Sequence, residues 1–222
     1  FEGYGALIHL GEGTDIVFEG RSFASMELGQ GGARRAGGAK GAAWVTLFAA
    51  FDEAQGAGKG SDHDNLLPRL EKEALLPIIN GETALVIGAD RASDLLNIIK
   101  LKKKYPKLKP IILRASEGWM VADELAAANI PVIVDTFSNL PDSFDSLAAT
   151  QANAGRLSQA GVRVSIGTFS ATGGNIGNAR LILQYAGNAV ANGMDWDAAL
   201  KAITLTPAQI FGAGRQLGSL EK

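Results

Sequence analysis

Charged and hydroxyl side chains follow directly after four short apolar segments of the sequence. Carboxylates in such positions can serve as general bases or metal ligands, and guanidinium groups can hold the anionic part of a ligand. We take Glu117 and Asp135 as candidate general bases. The pattern predicts a binding site for a small polar molecule, formed by Gly88, Asp90, Arg91, Arg114, Glu117, Asp135, Thr168 and Phe169.

For any one of these charges, a structural role in an ion pair or at a helix end is more frequent than a catalytic role. The prediction of a site therefore depends on the whole set, which carries both signs of charge. Asp90, Glu117 and Asp135 supply the negative charges, and Arg91 and Arg114 supply the positive ones.

A glycine-rich loop, ATGGNIGN at 171–178, follows the last apolar segment and precedes a helical pattern. Its glycines do not have the GxGxxG spacing, and the Lys-Ser/Thr pair of a Walker loop is absent. Amides at the start of the next helix could hold an anion. A turn followed by a helix cap is the favoured interpretation, and the glycines and cations at 29–41 form no ordered motif either.

The sequence contains two histidines, His9 and His63, and no cysteine. A zinc site needs three or four nitrogen, oxygen or sulfur ligands in one place. His63 lies in SDHDN, which is typical of a solvated turn, and His9 ends a predicted strand, where a structural role is favoured. With so few histidine and cysteine ligands, we expect no metal site in this chain. No GxSxG motif is present, so we also expect no serine nucleophile.

The composition, with 46% hydrophobic and 20% charged residues and a formal net charge of −2, is that of a soluble globular protein. We therefore expect no nucleic-acid partner and no membrane partner. The basic run at 100–110 is interpreted as the solvated end of a helix. No targeting segment is recognised, and the compartment is left open.

Elements that would position these side chains alternate along the chain at a spacing of about 25 residues, the pattern of a parallel βαβ sheet. Ligands of such sheets bind where the strands end. Ser93 is the expected cap of the first helix. We predict strands at 84–90, 110–115, 130–137 and 162–169, and helices at 92–105, 117–129, 144–161 and 175–193.

Outside this regular part, the periodicity is less distinct. We expect two further helices near the end of the chain, at 195–205 and 207–212. Near its beginning we expect strands at 5–10 and 14–20, a glycine-rich loop, a helix at 42–54, and a surface loop at 55–65. A barrel and a doubly wound sheet both fit this pattern.

Several stretches together resemble the amidohydrolase superfamily, close to its imidazolonepropionase-like and prolidase-like members. They include ALVIGADRASDLL, ILRASEGWMVADELAAANIPVIVD, LGQGGARRAGGAKGAA and GNAVANGMDWDAALKAITLTPAQIFG, and the resemblance covers nearly the whole chain. It implies a (β/α)₈ barrel that hydrolyses amide or cyclic amide bonds. It also implies zinc or another divalent metal at the strand ends, whose bound hydroxide attacks the carbonyl.

The metal ligands of that superfamily are not found at the matching positions of this sequence. Histidines are expected where Gly88 and Arg114 stand, an aspartate is expected at Phe169, and no His-x-His pair is present. An arginine repels a dication at close range. We therefore expect no cofactor in this chain, and we expect Arg114 to pair with a carboxylate where the metal would lie.

The prediction as a whole is an α/β chain with a parallel (β/α) TIM-barrel-like fold, incomplete at about six of eight strands. Residues 1–222 would form one barrel portion, without the first strands and a C-terminal β-sandwich. Open sheet edges favour a homo-oligomer or a complementing chain.

We expect a polar-ligand-binding or degenerate-hydrolase module that lacks a functional metal centre. The alternative is an active metal-dependent amidohydrolase whose His-x-His strand lies upstream. A metal-free hydrolase using Asp135 and Arg114 is a third option, so whether the chain is an enzyme is left open.

Overall fold

The computed structural model describes residues 1–9, 13–56, 66–137, 140–141, 143–168 and 179–219. The strands in these ranges are β1 Gly3–Ile8, β2 Val17–Glu27, β3 Ala84–Ala89, β4 Pro110–Arg114, β5 Val132–Val134 and β6 Val164–Ile166. The α-helices are α1 Gln30–Arg35, α2 Lys40–Ala54, α3 Arg69–Ile79, α4 Ala92–Lys104, α5 Ala122–Ala127, α6 Asn153–Gln159, α7 Ile182–Ala191, α8 Trp196–Ala202 and α9 Leu205–Ile210. Short 3₁₀ turns at Gly118–Val121 and Ala179–Leu181 precede α5 and α7.

The strands form one sheet in the order β1-β2-β3-β4-β5-β6. Strands β4, β5 and β6 are parallel, with Ile112 opposite Val132 and Ile133 opposite Ser165. Strands β1 and β2 are antiparallel, with Tyr4 opposite Ala24. The connection between β1 and β2 is too short for the crossover that parallel strands need, which accounts for the change of direction.

The chain divides into two compact units, the first made of Phe1–Ile87 with Lys100–Pro110 and the second of Gly88–Ile99 with Ile111–Lys222. In the first unit, apolar residues of α2 and α3, such as Phe51 and Ile78, are buried. In the second unit, the β5 and β6 residues are buried along their whole length. Continuous burial explains the apolar sequence of β5. In β6 the buried Ser165 hydroxyl donates to the backbone oxygen of Ala202 at 3.2 Å.

The alternation of strands and helices from residue 84 onward is as predicted, with some differences in extent. The helix predicted at 144–161 is confined to α6, and residues 143–148 form turns and bends. Helix α1 lies in the stretch predicted as a glycine-rich loop, and α3 was not predicted. Residues 10–12, 57–65, 138–139, 142, 169–178 and 220–222 lie outside the described residues.

A charged cluster in the first unit joins α2 to the end of α4. The Asp52 carboxylate accepts hydrogen bonds from Lys104 Nζ at 2.6 Å and from Tyr105 Oη at 2.7 Å. The Tyr105 ring also packs edge-on against Phe51, with 5.2 Å between ring centroids. One cation of the basic run therefore has a specific partner, whereas the sequence predicted only a solvated helix end.

The same contacts shift the two acid groups in opposite directions. The bond from Lys104, followed by the bond from Tyr105, holds the pKa of Asp52 below its ordinary value of 3.8. Burial, followed by the bond to Asp52, raises the pKa of the Tyr105 phenol. Tyr105 therefore remains a hydrogen-bond donor to Asp52 throughout the physiological pH range.

We expect Asp52→Asn to remove a pH-dependent part of the stability. A carboxyl group with a lowered folded-state pKa stabilises the fold above its unfolded pKa, and this contribution is lost as the pH falls through the folded value. Because both side chains are partly exposed, the contribution above about pH 5 is about 1 kcal/mol. Urea denaturation at several pH values should show the difference from the native chain shrinking towards acid, and a difference that stays constant with pH would contradict this account.

Gly81, two residues after the end of α3, provides a second test of the fold. Its φ is +74°, and a Cβ built on it would overlap the carbonyl oxygen of Lys107. Gly56 has a similar φ of +78° but open space around the same position. We expect Gly81→Ala to lower the free energy of unfolding by about 3 kcal/mol, since backbone strain and overpacking add, and Gly56→Ala by about 1 kcal/mol. Equal losses in urea denaturation would contradict this account.

Candidate functional site at the strand ends

The side chain of Asp90, directly after β3, binds the segment that follows β4. Its Oδ2 accepts a hydrogen bond from Arg114 Nε at 2.7 Å, and its Oδ1 accepts one from Ser116 Oγ at 2.7 Å. Its backbone oxygen accepts the amide of Glu117 at 2.9 Å. Asp90 therefore fixes three of the four residues from Arg114 to Glu117, which the sequence predicted only to end at the same edge of the sheet.

The chain at this point adopts an uncommon backbone conformation. Arg114 and Ala115 have φ values of +81° and +51°, in the left-handed region that costs non-glycine residues about 1–2 kcal/mol each. Ala115 is fully buried, and its amide donates to the oxygen of Ala89 at 2.9 Å. The bonds to Asp90 offset the strain, and they turn Ser116 and Glu117 back towards β3.

Glu117 accepts hydrogen bonds from two backbone amides, one of them at the start of a helix. Its Oε2 accepts the amide of Ala92 at 3.0 Å, in the first turn of α4, and its Oε1 accepts the amide of Ala148 at 3.3 Å. A carboxylate at this end of a helix is favoured by the unpaired amides and the helix dipole. The prediction of Ser93 as the cap is wrong, because α4 begins at Ala92 and Ser93 lies inside it.

Arg91 binds the turn that precedes α6. Its Nε donates to the carbonyl oxygen of Phe144 at 3.1 Å, and it lies 3.8 Å from Oδ1 of the buried Asp145. The indole Nε1 of Trp119 donates to the oxygen of Ala148 at 2.8 Å. These bonds engage backbone groups of residues 144–148, which explains why this part of the predicted helix does not form.

Asn153 is fully buried, and the sequence analysis does not identify it as a residue of the site. Its Oδ1 accepts the amide of Trp119 at 2.9 Å, and its Nδ2 donates to the oxygen of Ala115 at 2.9 Å. The Asn153 side chain therefore joins the left-handed residue Ala115 to the backbone of Trp119. Asn153 precedes the buried Leu157 by four positions, so helical spacing was the available signal that a polar residue lay on an apolar face.

Asp135 and Thr136, after β5, make their contacts with different partners. Asp135 is buried, and its Oδ1 accepts the amide of Phe137 at 2.8 Å. The Thr136 hydroxyl donates to the oxygen of Tyr185 in α7 at 2.7 Å, and Asn188 donates to the oxygen of Thr136. Burial, followed by the charge of Asp135, raises the pKa of the Tyr185 phenol. These residues attach α7 to the end of β5.

Of the remaining predicted positions, two lie among the described residues. Gly88 is buried within β3, and Thr168 is half-buried two residues after β6. Phe169 and the loop at 171–178 lie outside the described residues, as does His63 with its neighbouring aspartates. The structure thus brings Asp90, Arg114 and Glu117 together, with Arg91 beside them in sequence, and it joins Asp135 and Thr136 to α7.

The strand-end side chains that the structure describes do not form a set of ligands for a divalent metal. At the positions where the resemblance implies histidines, Gly88 offers no side-chain donor and Arg114 holds a cation against Asp90. Within the ranges described above, no group of three or more His, Asp or Glu side chains could hold a metal ion. The Asp90 carboxylate is already paired with the Arg114 guanidinium at 2.7 Å.

None of the helices in the described ranges has the length and apolar character that crossing a bilayer requires. Arg91 and Arg114 expose 40% and 22% of their side chains, whereas their partners Asp145 and Asp90 expose 11% and 13%. In both pairs the cation is the more exposed partner.

Two comparisons with known proteins bear on these observations. The amidohydrolase family model matches residues 102–222, which is 121 of the 222 residues. The crystal structure of an amidohydrolase from Thermotoga maritima MSB8 superimposes with a TM-score of 0.82 at 18% identity, over 99% of this chain and 60% of that chain. The predicted class, an incomplete α/β fold of the TIM-barrel-like type, is thereby confirmed, and the chain spans about three fifths of that relative.

Weaker similarities exist to other structures. An uncharacterized metal-dependent hydrolase from Pyrococcus furiosus gives a TM-score of 0.49 at 13% identity, over 69% of this chain and 33% of that chain. E. coli guanine deaminase gives 0.43 at 16%, over 67% and 37%. These scores are too low to support a shared fold. No curated protein sequence matches this chain.

Asn153 offers a direct test of the described geometry. Asn153→Leu should lower the free energy of unfolding by about 2–4 kcal/mol, because a buried amide and a buried carbonyl each lose their partner. Gln159→Leu in the same helix is the matched control, since its bond to Gly193 is exposed, and it should cost less than about 0.5 kcal/mol. Similar losses for the two variants, measured by urea denaturation, would contradict the role given to Asn153.

Proposed function

Since the chain belongs to the amidohydrolase family, we propose that it is a member of the C–N hydrolase lineage that has lost its own metal centre. It acts as a module that binds a small polar molecule at the strand ends. Within the family we place it near the imidazolonepropionase-like members, whose substrates carry cyclic amide bonds. The single observation that carries the proposal is the ion pair of 2.7 Å between Arg114 and Asp90.

That ion pair uses the groups that metal chemistry would need. Asp90 follows Gly88, where the resemblance implies a metal ligand, by two residues, and its oxygens are bound to Arg114 and Ser116. Freeing Asp90 for a metal would leave Arg114 without this partner beside a dication, and like charges at such a distance repel strongly. The side-chain pair is therefore a substitute for the metal and not a precursor of its site.

The candidate general bases are also engaged in the fold. Glu117 holds the start of α4 and the amide of Ala148, and Asp135 closes a turn on Phe137. General-base catalysis requires a carboxylate within hydrogen-bond reach of the proton that it removes. These carboxylates act in structure, which supports binding over hydrolysis for the described part of the chain.

The more exposed partner of each ion pair indicates the charge of the ligand. Arg91 and Arg114 are more exposed than the aspartates that they contact. Guanidinium groups bind carboxylates with paired N–H donors. The polar molecule is therefore a small carboxylate.

A second candidate function is that of an active metal-dependent amidohydrolase. Family membership favours it, and it would require a His-x-His strand upstream of these residues. Glu117 or Asp135 would then serve as general base beside an altered, mononuclear metal site. The two candidates make opposite predictions about metal content.

Elemental analysis by inductively coupled plasma mass spectrometry distinguishes them. After expression in medium supplemented with zinc, iron and manganese, we expect far less than one equivalent of any transition metal. Gly88→His should also remain without metal, because Arg114 still occupies Asp90. One equivalent of metal in the native chain would contradict the proposal, and substitution of His9, His63 and the carboxylates would then locate its ligands.

Ligand binding provides the second test, with succinate as the probe and neutral succinamide as its matched control. We expect isothermal titration calorimetry to detect succinate and not succinamide. Arg91→Gln should weaken succinate binding several-fold, since an exposed guanidinium contact is lost. Arg163→Gln, which changes an exposed arginine at the opposite end of β6, should have no effect. Equal binding of the two probes would contradict a site for carboxylates.

A further inference from the structure

A cavity of 550 Å³ lies in the first unit, between the β1–β2 pair and helices α1, α2 and α3. Its volume is within the range of pockets that bind small molecules, about 300–1,000 Å³. Its deep wall is apolar and buried, and it includes Met26, Leu47, Leu75 and Ile78. None of the residues proposed above to bind a polar ligand takes part in it.

Small residues create the space. Ala24, Ala43 and Ala50 line the cavity and are buried, so larger side chains at these positions would fill it. Gly32 also lines it, and a Cβ there would overlap the backbone oxygen of Glu27. Pockets lined by apolar side chains of this kind favour ligands with an apolar body.

The charged residues at the cavity indicate the polar group of the ligand. Arg35 is already paired with Glu2 at 3.3 Å, and Glu27 accepts the amide of Gly29 at 2.9 Å. Glu71, exposed in the first turn of α3, makes no ion pair with any residue that the structure describes. An anion would have to compete with Glu2, whereas a cation would gain a contact with Glu71.

We propose that this cavity binds a small apolar amine, with its hydrocarbon or aromatic body against the deep wall and its ammonium group beside Glu71. The proposal is independent of the function proposed for the strand ends. The cavity gives affinity through apolar burial, and Glu71 gives preference for a positive charge.

Three probes with one aromatic body test the proposal in the intact chain. They are 1-naphthylmethylamine, neutral 1-methylnaphthalene and anionic 1-naphthoate, each titrated by ligand-observed NMR at low salt. We expect saturable binding of the amine, about five-fold tighter than the neutral probe, because a single contact with an exposed charge adds about this factor. Absence of saturable binding for all three probes would overturn the proposal, and tighter binding of the anion would overturn the charge assignment.

Substitutions of Glu71 and of the cavity wall separate the contribution of charge to binding from that of apolar burial. Glu71→Gln should remove the preference for the amine and leave binding of the neutral probe unchanged. Glu73→Gln is the matched control on the same helix, since Glu73 pairs with Arg69 and does not line the cavity, and it should keep the preference.

Filling the cavity should abolish binding of every probe. Ala50→Leu is the first variant for this purpose, with circular dichroism to establish folding. Where Ala50→Leu does not fold, Ala43→Leu replaces it, because that side chain lines the same cavity. A folded filled variant that binds the amine as the native chain does would show that the probe binds elsewhere, and it would overturn the proposal.

Discussion

The hydrogen bonds accepted by the Asp90 carboxylate are the interaction on which the second unit most depends. They hold Arg114 and Ser116, and they compensate for two successive left-handed residues after β4. With the chain turned in this way, Glu117 reaches the start of α4 and the amide of Ala148. One carboxylate thus determines the path of the chain after β4, and through Glu117 it determines how α4 begins.

The same arrangement limits the chemistry available at the strand ends. Partly buried carboxylates are stable when hydrogen-bonded or paired, and here Asp90, Glu117 and Asp135 have their partners within the protein. The ion pairs hold the strand-end segments together, while the side chains of Arg91 and Arg114 remain partly exposed. The fold follows from membership of the amidohydrolase family, whereas the chemistry of the site depends on the residues that this chain has there.

In the first unit, a cluster of hydrogen-bonded side chains lies beside an apolar cavity. Asp52, Lys104 and Tyr105 join two helices through charge-assisted bonds, with Phe51 packed against the tyrosine ring. Beside this tight cluster, alanines on β2 and α2 leave an apolar cavity. Close packing in one place and retained space in another is the distribution expected when part of a core is reserved for a ligand.

The sequence by itself determined the α/β class, the positions of the strands from residue 84 onward, and the burial of those strands, because periodicity and apolar runs are local properties. It also indicated that Arg114 would meet a carboxylate. Only the tertiary structure decided that the partner is Asp90, that Glu117 and not Ser93 caps α4, and that residues 143–148 form turns and bends. Those outcomes depend on groups 24 to 53 residues apart in sequence, which meet only in the folded chain. The partners of a charged side chain are set by that long-range approach, and no local pattern encodes it.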